Sequence, residues 1–560
     1  MTPQEFLDEF GTLAESAEGV PKLRELILDL AVQGKLVEQD SNDEPADRLL
    51  TRISQTRQQL IDAGTQRASK ETPALSAAEA PFELPPTWVW TPLGNVQNFV
   101  NGFTFKSQEY QTEGVGIVRI GDIQRGEIST DGMKLVATRY LTELDERLHV
   151  RPGDLLIAMS GATTGKLGFN GTNSTFLLNQ RVGKLDFLEV NSNYAHLFLQ
   201  TQVQENLRIS SGSAIPNLST TQINSMPFPL PPLAEQHRIV AKVDELMGLC
   251  DRLEAVQGQR RGVRVRLNRS SLDRLTSVSG VDRAGRSGLS AAWQRVCDHF
   301  EVLYDTLPDL RQTILQLAVQ GKLVPQDPND EPASSFITGA AEAMPDDPPS
   351  SGWTWCRLQQ VCEFLGGFAF KSTSYVKESV NQIIRLGNVK NDVLLLDQKP
   401  AFIPDDIAGE SGDYRIQPGD MLLTMTGTKK KRDYLFTTLV RDADLESRVL
   451  YLNQRVGLLR FANEQIAETA NYFLKSDAIL DPLFATATGT ANQGNIGAKA
   501  IRSALFPLPP LSEQKRIVSK VTHLLSQVTR LESTLTRRES TRTQLLIAAI
   551  HSLLNPEASS

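Results

Sequence analysis

The chain has 560 residues, 40% of them hydrophobic and 22% charged, with a formal net charge of −8. At roughly 100–200 residues per domain it holds about three to five structural units, and its apolar content excludes a disordered protein. No run approaches the ~18 apolar residues of a membrane span, and Met1–Phe10 is acidic, unlike a secretory signal.

In chain order, residues 1–63 read as an acidic helical segment containing a first repeat helix, with Leu23, Ile27 and Leu30 on one face. Residues 1–87 carry 8 Lys and Arg against 16 Asp and Glu, a balance that equals the net charge of the whole chain. A polar linker, 64–87, ends in Ala80-Pro-Phe-Glu-Leu-Pro-Pro86. The first body, 88–233, has short apolar runs at Val115–Ile120 and Leu155–Met159 that suggest strands, a tight turn at Arg151-Pro-Gly-Asp154, and a helix near Tyr194–Asn206.

A spacer helix, 234–276, follows. Ile239, Val243, Leu246, Cys250, Leu253 and Gln257 fall at alternating steps of four and three, an a/d seam. Either a partner helix or the helix's own domain would cover such a face. Gly258 and Gly262 weaken this helix. Residues 277–309 form a basic linker and helix start, and 260–295 hold nine Arg against two Asp. Charge is therefore segregated, and the average decides nothing about partners.

The second repeat helix, 310–337, places Leu310, Ile314 and Leu317 on one face, and a linker covers 338–352. The second body, 353–511, has strand-like runs at Ile383–Leu386 and Met421–Met425 and a helix near Ile466–Ser476. A terminal helix, 512–555, repeats the seam with Ile517, Val521, Leu524, Val528, Leu531 and Leu535.

These elements form a tandem duplication. LRELILDLAVQGKLVEQDSNDEPADRLL at 23–50 returns at 310–337 as LRQTILQLAVQGKLVPQDPNDEPASSFI. Trp88-Val-Trp90 answers to Trp353-Thr-Trp355, Gly102-Phe-Thr-Phe-Lys-Ser107 to Gly367-Phe-Ala-Phe-Lys-Ser372, and Leu178-Asn-Gln-Arg-Val182 to Leu452-Asn-Gln-Arg-Val456. Arg151-Pro-Gly-Asp154 answers to Gln417-Pro-Gly-Asp420. Pro229-Leu-Pro-Pro-Leu233 with Glu235-Gln236 answers to Pro507-Leu-Pro-Pro-Leu511 with Glu513-Gln514. The second half lacks 22 residues after its repeat helix, which points to a shorter linker there. Each body is expected to be a mixed α/β domain.

Catalytic patterns fail on their spacing. Ser160-Gly-Ala-Thr-Thr-Gly-Lys-Leu167 resembles a phosphate loop, but Gly161 and Gly165 are one residue too close and Leu167 stands where a Mg²⁺-binding hydroxyl belongs. Asp347-Pro-Pro-Ser350 lacks the aromatic residue that would stack on a flipped adenine. Glu378 with Asp397-Gln-Lys399 has loose nuclease spacing and no counterpart in the first half. The six histidines form no metal pair, and Cys250, Cys297, Cys356 and Cys362 have neither metal spacing nor a disulfide framework. The chain reads as a reduced, cytoplasmic protein with no catalytic residues, no metal and no cofactor of its own.

Two related bodies joined by a helix of about 60 Å suit duplex DNA, where two modules can read two half-sites. The same geometry would serve a scaffold for two protein partners. Matching features should serve the fold, a partner or sequence-independent phosphate contact, and differing features should read bases. The aromatics Phe103, Phe105 and Tyr110, with Phe368, Phe370 and Tyr375, are expected mainly in the core, while Lys106 and Lys371 reach phosphate. Arg181 and Arg455 are either buried structural residues or DNA contacts. Base readers are expected where the halves diverge: 122–150 against 388–416, 160–178 against 427–451, and 186–215 against 460–495. There, Lys166, Lys429, Lys430, Lys431 and Arg432 are candidate DNA contacts, the last four forming the densest basic cluster in either body.

The paired PLPPLxEQ segments, the twice-used LAVQGKLV helix and the two divergent bodies resemble the specificity subunit of type I restriction–modification enzymes, over roughly residues 20–555. The resemblance implies two target recognition domains, each reading one half of an asymmetric gapped DNA site. They would be separated and closed by long coiled-coil helices in a pseudo-twofold repeat. It implies double-stranded DNA, two methyltransferase subunits that bind S-adenosylmethionine, and up to two motor-nuclease subunits that use ATP and Mg²⁺, with no membrane. It further implies that the helices starting at Leu23 and Glu513 pair, as do those starting at Glu235 and Leu310. The remaining alternatives are a single-chain nuclease or methyltransferase and a protein-only coiled-coil scaffold.

Overall fold

A computed structural model describes residues 19–64, 80–124, 126–202, 217–277, 304–337, 345, 347–490 and 492–554. The acidic leader before residue 19, most of the 64–87 linker and the join at 278–303 lie outside the described residues. The chain divides into two compact units, Met1–Gln259 with Arg538–Ser560, and Arg260–Arg537.

In the first unit, Val89–Pro92 pairs antiparallel with Pro227–Leu230, so the two ends of the body are stitched together. Inside lies a five-stranded sheet in the order Gln97–Asn101, Val182–Phe187, Leu155–Ala158, Leu167–Phe169, Gly126–Glu127. A four-stranded sheet has the order Lys134–Val136, Val115–Val118, Phe176–Leu178, His149–Val150. The central strand Leu155–Ala158 is apolar throughout because both of its faces are covered. Leu155 and Ile157 enter the main core, and Leu156 and Ala158 enter a second one.

The second unit repeats this plan. Thr354–Arg357 closes on Leu505–Leu508. A sheet follows in the order Cys362–Gly366, Val456–Phe461, Met421–Thr424, Thr437–Leu439. Met421 and Leu423 face one core, and Leu422 faces another. In both bodies the Pro-Gly-Asp turn needs its glycine, since Gly153 and Gly419 have φ of +85° and +82°. The aspartate that follows accepts the N–H of Arg151 or Gln417 at 2.7 Å.

The long helices, Leu233–Ser277 and Leu511–Leu554, each start directly after Pro-Pro. Gly258 and Gly262 do not interrupt the first. The glutamate and glutamine of each PLPPLxEQ start are buried, Glu235 and Glu513 to 1% exposure. A clasp holds them to the repeat segment of their own unit. Gln39 donates to Glu235 at 2.6 Å and Arg238 pairs with Asp43 at 2.6 Å. Gln326 donates to Glu513 at 3.1 Å and Arg516 pairs with Asp330 at 2.6 Å. Burial pushes both glutamates above the ordinary carboxyl range, with the glutamine donors acting against it.

The clasp adds a contact to the expected helix pairing: the first part of each long helix lies on the repeat helix of its own unit. Leu23, Ile27 and Leu30, on Gly19–Val32, share a core with Ile239, Val243, Leu246 and Cys250, and the end of the terminal helix, from Arg538, belongs to the same unit. Arg24 seals the contact through Asp251 at 2.6 Å and Glu254 at 3.1 Å. In the second unit Leu310 and Ile314, on Leu307–Val319, share a core with Ile517, Val521 and Val528, and Arg311 pairs with Glu532 at 2.8 Å. The expected meeting of the Glu235 and Leu310 helices is made along the last third of Leu233–Ser277. There Arg261 pairs with Asp305, Arg269 with Asp309, and Leu272 and Leu275 join the second core. The physical reason is local: each seam is covered by the segment its own clasp delivers.

The seams reach their last apolar positions, Leu253 and Leu535, with one lapse. Leu317 is buried, Leu253, Leu524 and Leu535 are half-buried, and Leu531 is 38% exposed, so Leu531 does not pack as a seam residue. The length difference between the halves is not linker alone. The first unit has a helix, Ala46–Asp62, where the described residues of the second have only the turn Ala333–Phe336. That helix buries Leu49 and Ile53, and its Arg52 and Thr56 both bind Glu189 of the body.

Candidate nucleic-acid interface

The two strings that recur most faithfully inside the bodies lie side by side. Phe103 donates its N–H to Leu178 at 2.8 Å and accepts from Gln180 at 2.9 Å. Phe368 does the same with Leu452 and Gln454, both at 2.9 Å. The approach requires glycine, because a Cβ on Gly102 would sit 2.0 Å from the Asn179 carbonyl oxygen and one on Gly367 2.1 Å from that of Asn453. A third segment joins them. The carbonyl of Arg181 accepts from Met159 at 2.9 Å and that of Arg455 from Met425 at 3.1 Å. GFxFKS, NQRV and the loop after the central strand thus form one corner in each unit.

At this corner the shared cations are on the surface. Lys106, Lys371, Arg181 and Arg455 are all exposed, and neither arginine side chain has a hydrogen-bond or ion-pair partner among the described residues. The buried structural role considered for Arg181 and Arg455 is therefore excluded. Gln180 and Gln454 are exposed beside them. Phe105 and Phe370 are core residues as expected, but Phe103 and Phe368 are not, at 37% and 40% exposure. Their rings lie on the rim, edge-on to Phe105 at 5.1 Å and Phe370 at 4.9 Å.

The loops that meet this corner differ. In the first unit, 160–166 closes on itself: Thr164, Gly165 and Lys166 direct their N–H groups to Gly161, Ala158 and Thr163. Three of the donors that a phosphate loop would offer are thus engaged, and Lys166 is half-buried. In the second unit the basic cluster divides. Arg432 pairs with Asp481 at 2.7 Å and lies 4.6 Å over the Phe484 ring, while Lys429 donates to the Ala487 carbonyl at 3.0 Å. Lys430 and Lys431 are exposed, with no side-chain hydrogen bond among the described residues.

This loop is held in shape. Arg432 and Leu435 adopt positive φ, +51° and +62°, and the Thr428 N–H binds Asp433 at 2.5 Å. That hydrogen bond is the first cause of Asp433 lying below the ordinary carboxyl range. Sequence reasoning missed the anchors Asp481 and Phe484 on Asp477–Ala485, and the buried Lys475 that ties Asn471 to Asp392. No spacing rule links Arg432 to Asp481 or Asp392 to Lys475. Gln180 and Gln454 were legible in the repeated NQRV.

Among the described residues, no group of three or more His, Cys, Asp or Glu could hold a metal ion. Burial pushes the thiols of Cys356 and Cys362 up to about 12, far from a reactive thiolate. No helix among the described residues is long and apolar enough to cross a membrane.

Comparison with known proteins matches a family model, the type I restriction modification DNA specificity domain, at residues 85–259 and again at 350–538. The Escherichia coli type I restriction enzyme EcoAI specificity subunit is 30% identical over 560 residues, covering 90% of this chain and 89% of the relative. The Escherichia coli EcoEI specificity subunit is 28% identical over 558 residues, covering 90% and 88%. A solved chain from work on complex assembly and conformational transition of the type I R-M system aligns at a TM-score of 0.48. It has 19% identity, over 85% of this chain and 99% of that one.

Proposed function

The chain belongs to the family of type I restriction–modification DNA specificity subunits, and on that premise we propose that each of its two units reads one half of an asymmetric, gapped duplex sequence. It supplies sequence recognition and no catalysis. In this reading two methyltransferase subunits carrying S-adenosylmethionine and up to two motor-nuclease subunits using ATP and Mg²⁺ assemble with it on double-stranded DNA, in the cytoplasm. The long helices set the spacing and dock the partners.

One observation carries the reading: the same corner is built twice, with shared cations beside loops that differ. Shared cations suit phosphates, which are alike in every sequence, and differing loops suit base edges, which are not. In the second unit Lys430 and Lys431 are the favoured contacts of the basic loop. Lys429 and Arg432 hold its shape. In the first unit Lys166 is a weaker candidate. A protein-only scaffold is not favoured, since the family match covers both bodies.

The test is modified-base sequencing of DNA from cells co-expressing this chain with its methyltransferase partner. Adenine methylation at a two-part gapped sequence is expected, absent without the chain. Replacing residues 353–511 with the second body of a relative should change one half-site and leave the other. A swap that leaves the target unaltered would overturn the reading.

A further inference from the structure

In a chain whose two bodies have drifted apart over much of their surface, an exposed side chain kept identical in both needs a cause outside its own unit. Phe103 and Phe368 are such a pair. Each leaves more than a third of a large apolar ring in water, which is unfavourable unless something else covers it. Each is also held in place. Phe103 lies 5.1 Å from Phe105 and 6.4 Å from Tyr140, and Phe368 lies 4.9 Å from Phe370 and 5.2 Å from Tyr414.

The two tyrosines are not counterparts in the duplication. Tyr140 opens the short helix Tyr140–Glu143, whereas Tyr414 ends the turn Gly412–Tyr414 directly before Arg415 and Ile416. Different segments thus buttress the same exposed ring. Around it stand Lys106, Gln180 and Arg181 in one unit and Lys371, Gln454 and Arg455 in the other, all exposed. Neither GFxFKS nor NQRV contains an acid in either unit, and the carboxylate of Glu109, near the first ring, is engaged by the Lys106 N–H at 2.5 Å and the Tyr140 hydroxyl at 2.6 Å.

Resting on the DNA-reading function above, we infer that Phe103 and Phe368 are apolar contacts to duplex DNA, made alike by both units whatever the sequence. The ring packs on the sugar and base wall of a groove while Arg181 or Arg455 engages the flanking phosphates. An apolar side chain between phosphate-binding cations is a recurrent way to seat a protein on a duplex without reading bases. The charge of the corner favours DNA over a protein surface as the ligand.

The experiment measures equilibrium binding by the full chain assembled with its methyltransferase partner. Two duplexes are used: the methylated target, and the same duplex with one half-site scrambled. Phe103→Ala and Phe368→Ala are each expected to weaken binding about tenfold, by the same factor on both duplexes. Phe103→Leu and Phe368→Leu should retain most of the affinity. Arg181→Gln and Arg455→Gln should lower the salt slope of binding by about 1.

Unchanged affinity in the alanine variants would overturn the inference. So would a loss confined to the target, which makes the ring a base reader. Failure to assemble with the methyltransferase at an unchanged melting temperature would also overturn it, since the ring would then belong to a protein interface. If the wild-type complex shows no preference for any sequence, the specificity reading fails, and the variants' affinity for generic duplex still decides this inference.

Discussion

The two units differ least where they face themselves and most where they face outward. Arg24 with Glu254 becomes Arg311 with Glu532, and Asp43 with Arg238 becomes Asp330 with Arg516. The loop after the central strand, in contrast, is a self-closed turn in the first unit. In the second it is a basic loop pinned to Asp481. The difference separates two tasks. The clasp must satisfy buried groups such as Glu235 and Glu513, so a change on one side leaves an orphan on the other. The loops close by many routes and are free to diverge.

The largest effects should come from the seams. Ile239→Ala and Ile517→Ala each remove a fully buried side chain and are expected to cost roughly 2–5 kcal/mol. Hydrogen exchange followed by mass spectrometry tells which segment responds. Ile239→Ala should expose amides of Gly19–Val32, and Ile517→Ala those of Leu307–Val319. Exchange that rises in the opposite repeat helix instead would break this assignment of seam to helix.

A smaller effect distinguishes the units by pH. His196 lies against Phe169 at 5.0 Å, and burial lowers its imidazole to about 4 from an ordinary 6.5. Its place in the second unit is taken by Asn471, since Phe198 on Phe228 answers to Phe473 on Phe506. A base whose folded pKa is depressed contributes stability that is present above pH 6.5 and lost as pH falls toward 4. The first unit should lose roughly 2 kcal/mol across that window through this group, allowing for its partial exposure. Stability curves of wild type and His196→Gln should converge near pH 4. Parallel curves would mean the ring is solvated.

Much of this organisation is legible in the residues, for a physical reason. The repeated strings hold the groups that the clasp buries: Gln39 and Asp43 in one copy of the repeat, Gln326 and Asp330 in the other, with Glu235, Arg238, Glu513 and Arg516 at the helix starts. The covering of each seam is not legible. A four–three spacing says that one face is apolar, not which helix meets it. Phe103 and Phe105 are the same residue type two positions apart, yet one is 37% exposed and the other 6%, which the string alone does not tell. The role of Arg432 depends on Asp481, 49 residues later, and no local pattern contains that partner.

That last residue yields the smallest prediction and the finest division within the second unit. Arg432→Gln removes an exposed ion pair and a ring contact, at a cost of about 1 kcal/mol. It should loosen the 428–435 loop, seen as faster exchange there, and so weaken target binding through lost shape rather than lost charge. Lys431→Gln removes a charge with no hydrogen-bonded partner among the described residues. It should leave stability unchanged and lower the salt slope of DNA binding by about 1. If both variants shifted the salt slope equally and neither changed exchange, Arg432 would be a phosphate contact like its neighbour. The loop would then owe its shape to the hydrogen bond between Thr428 and Asp433.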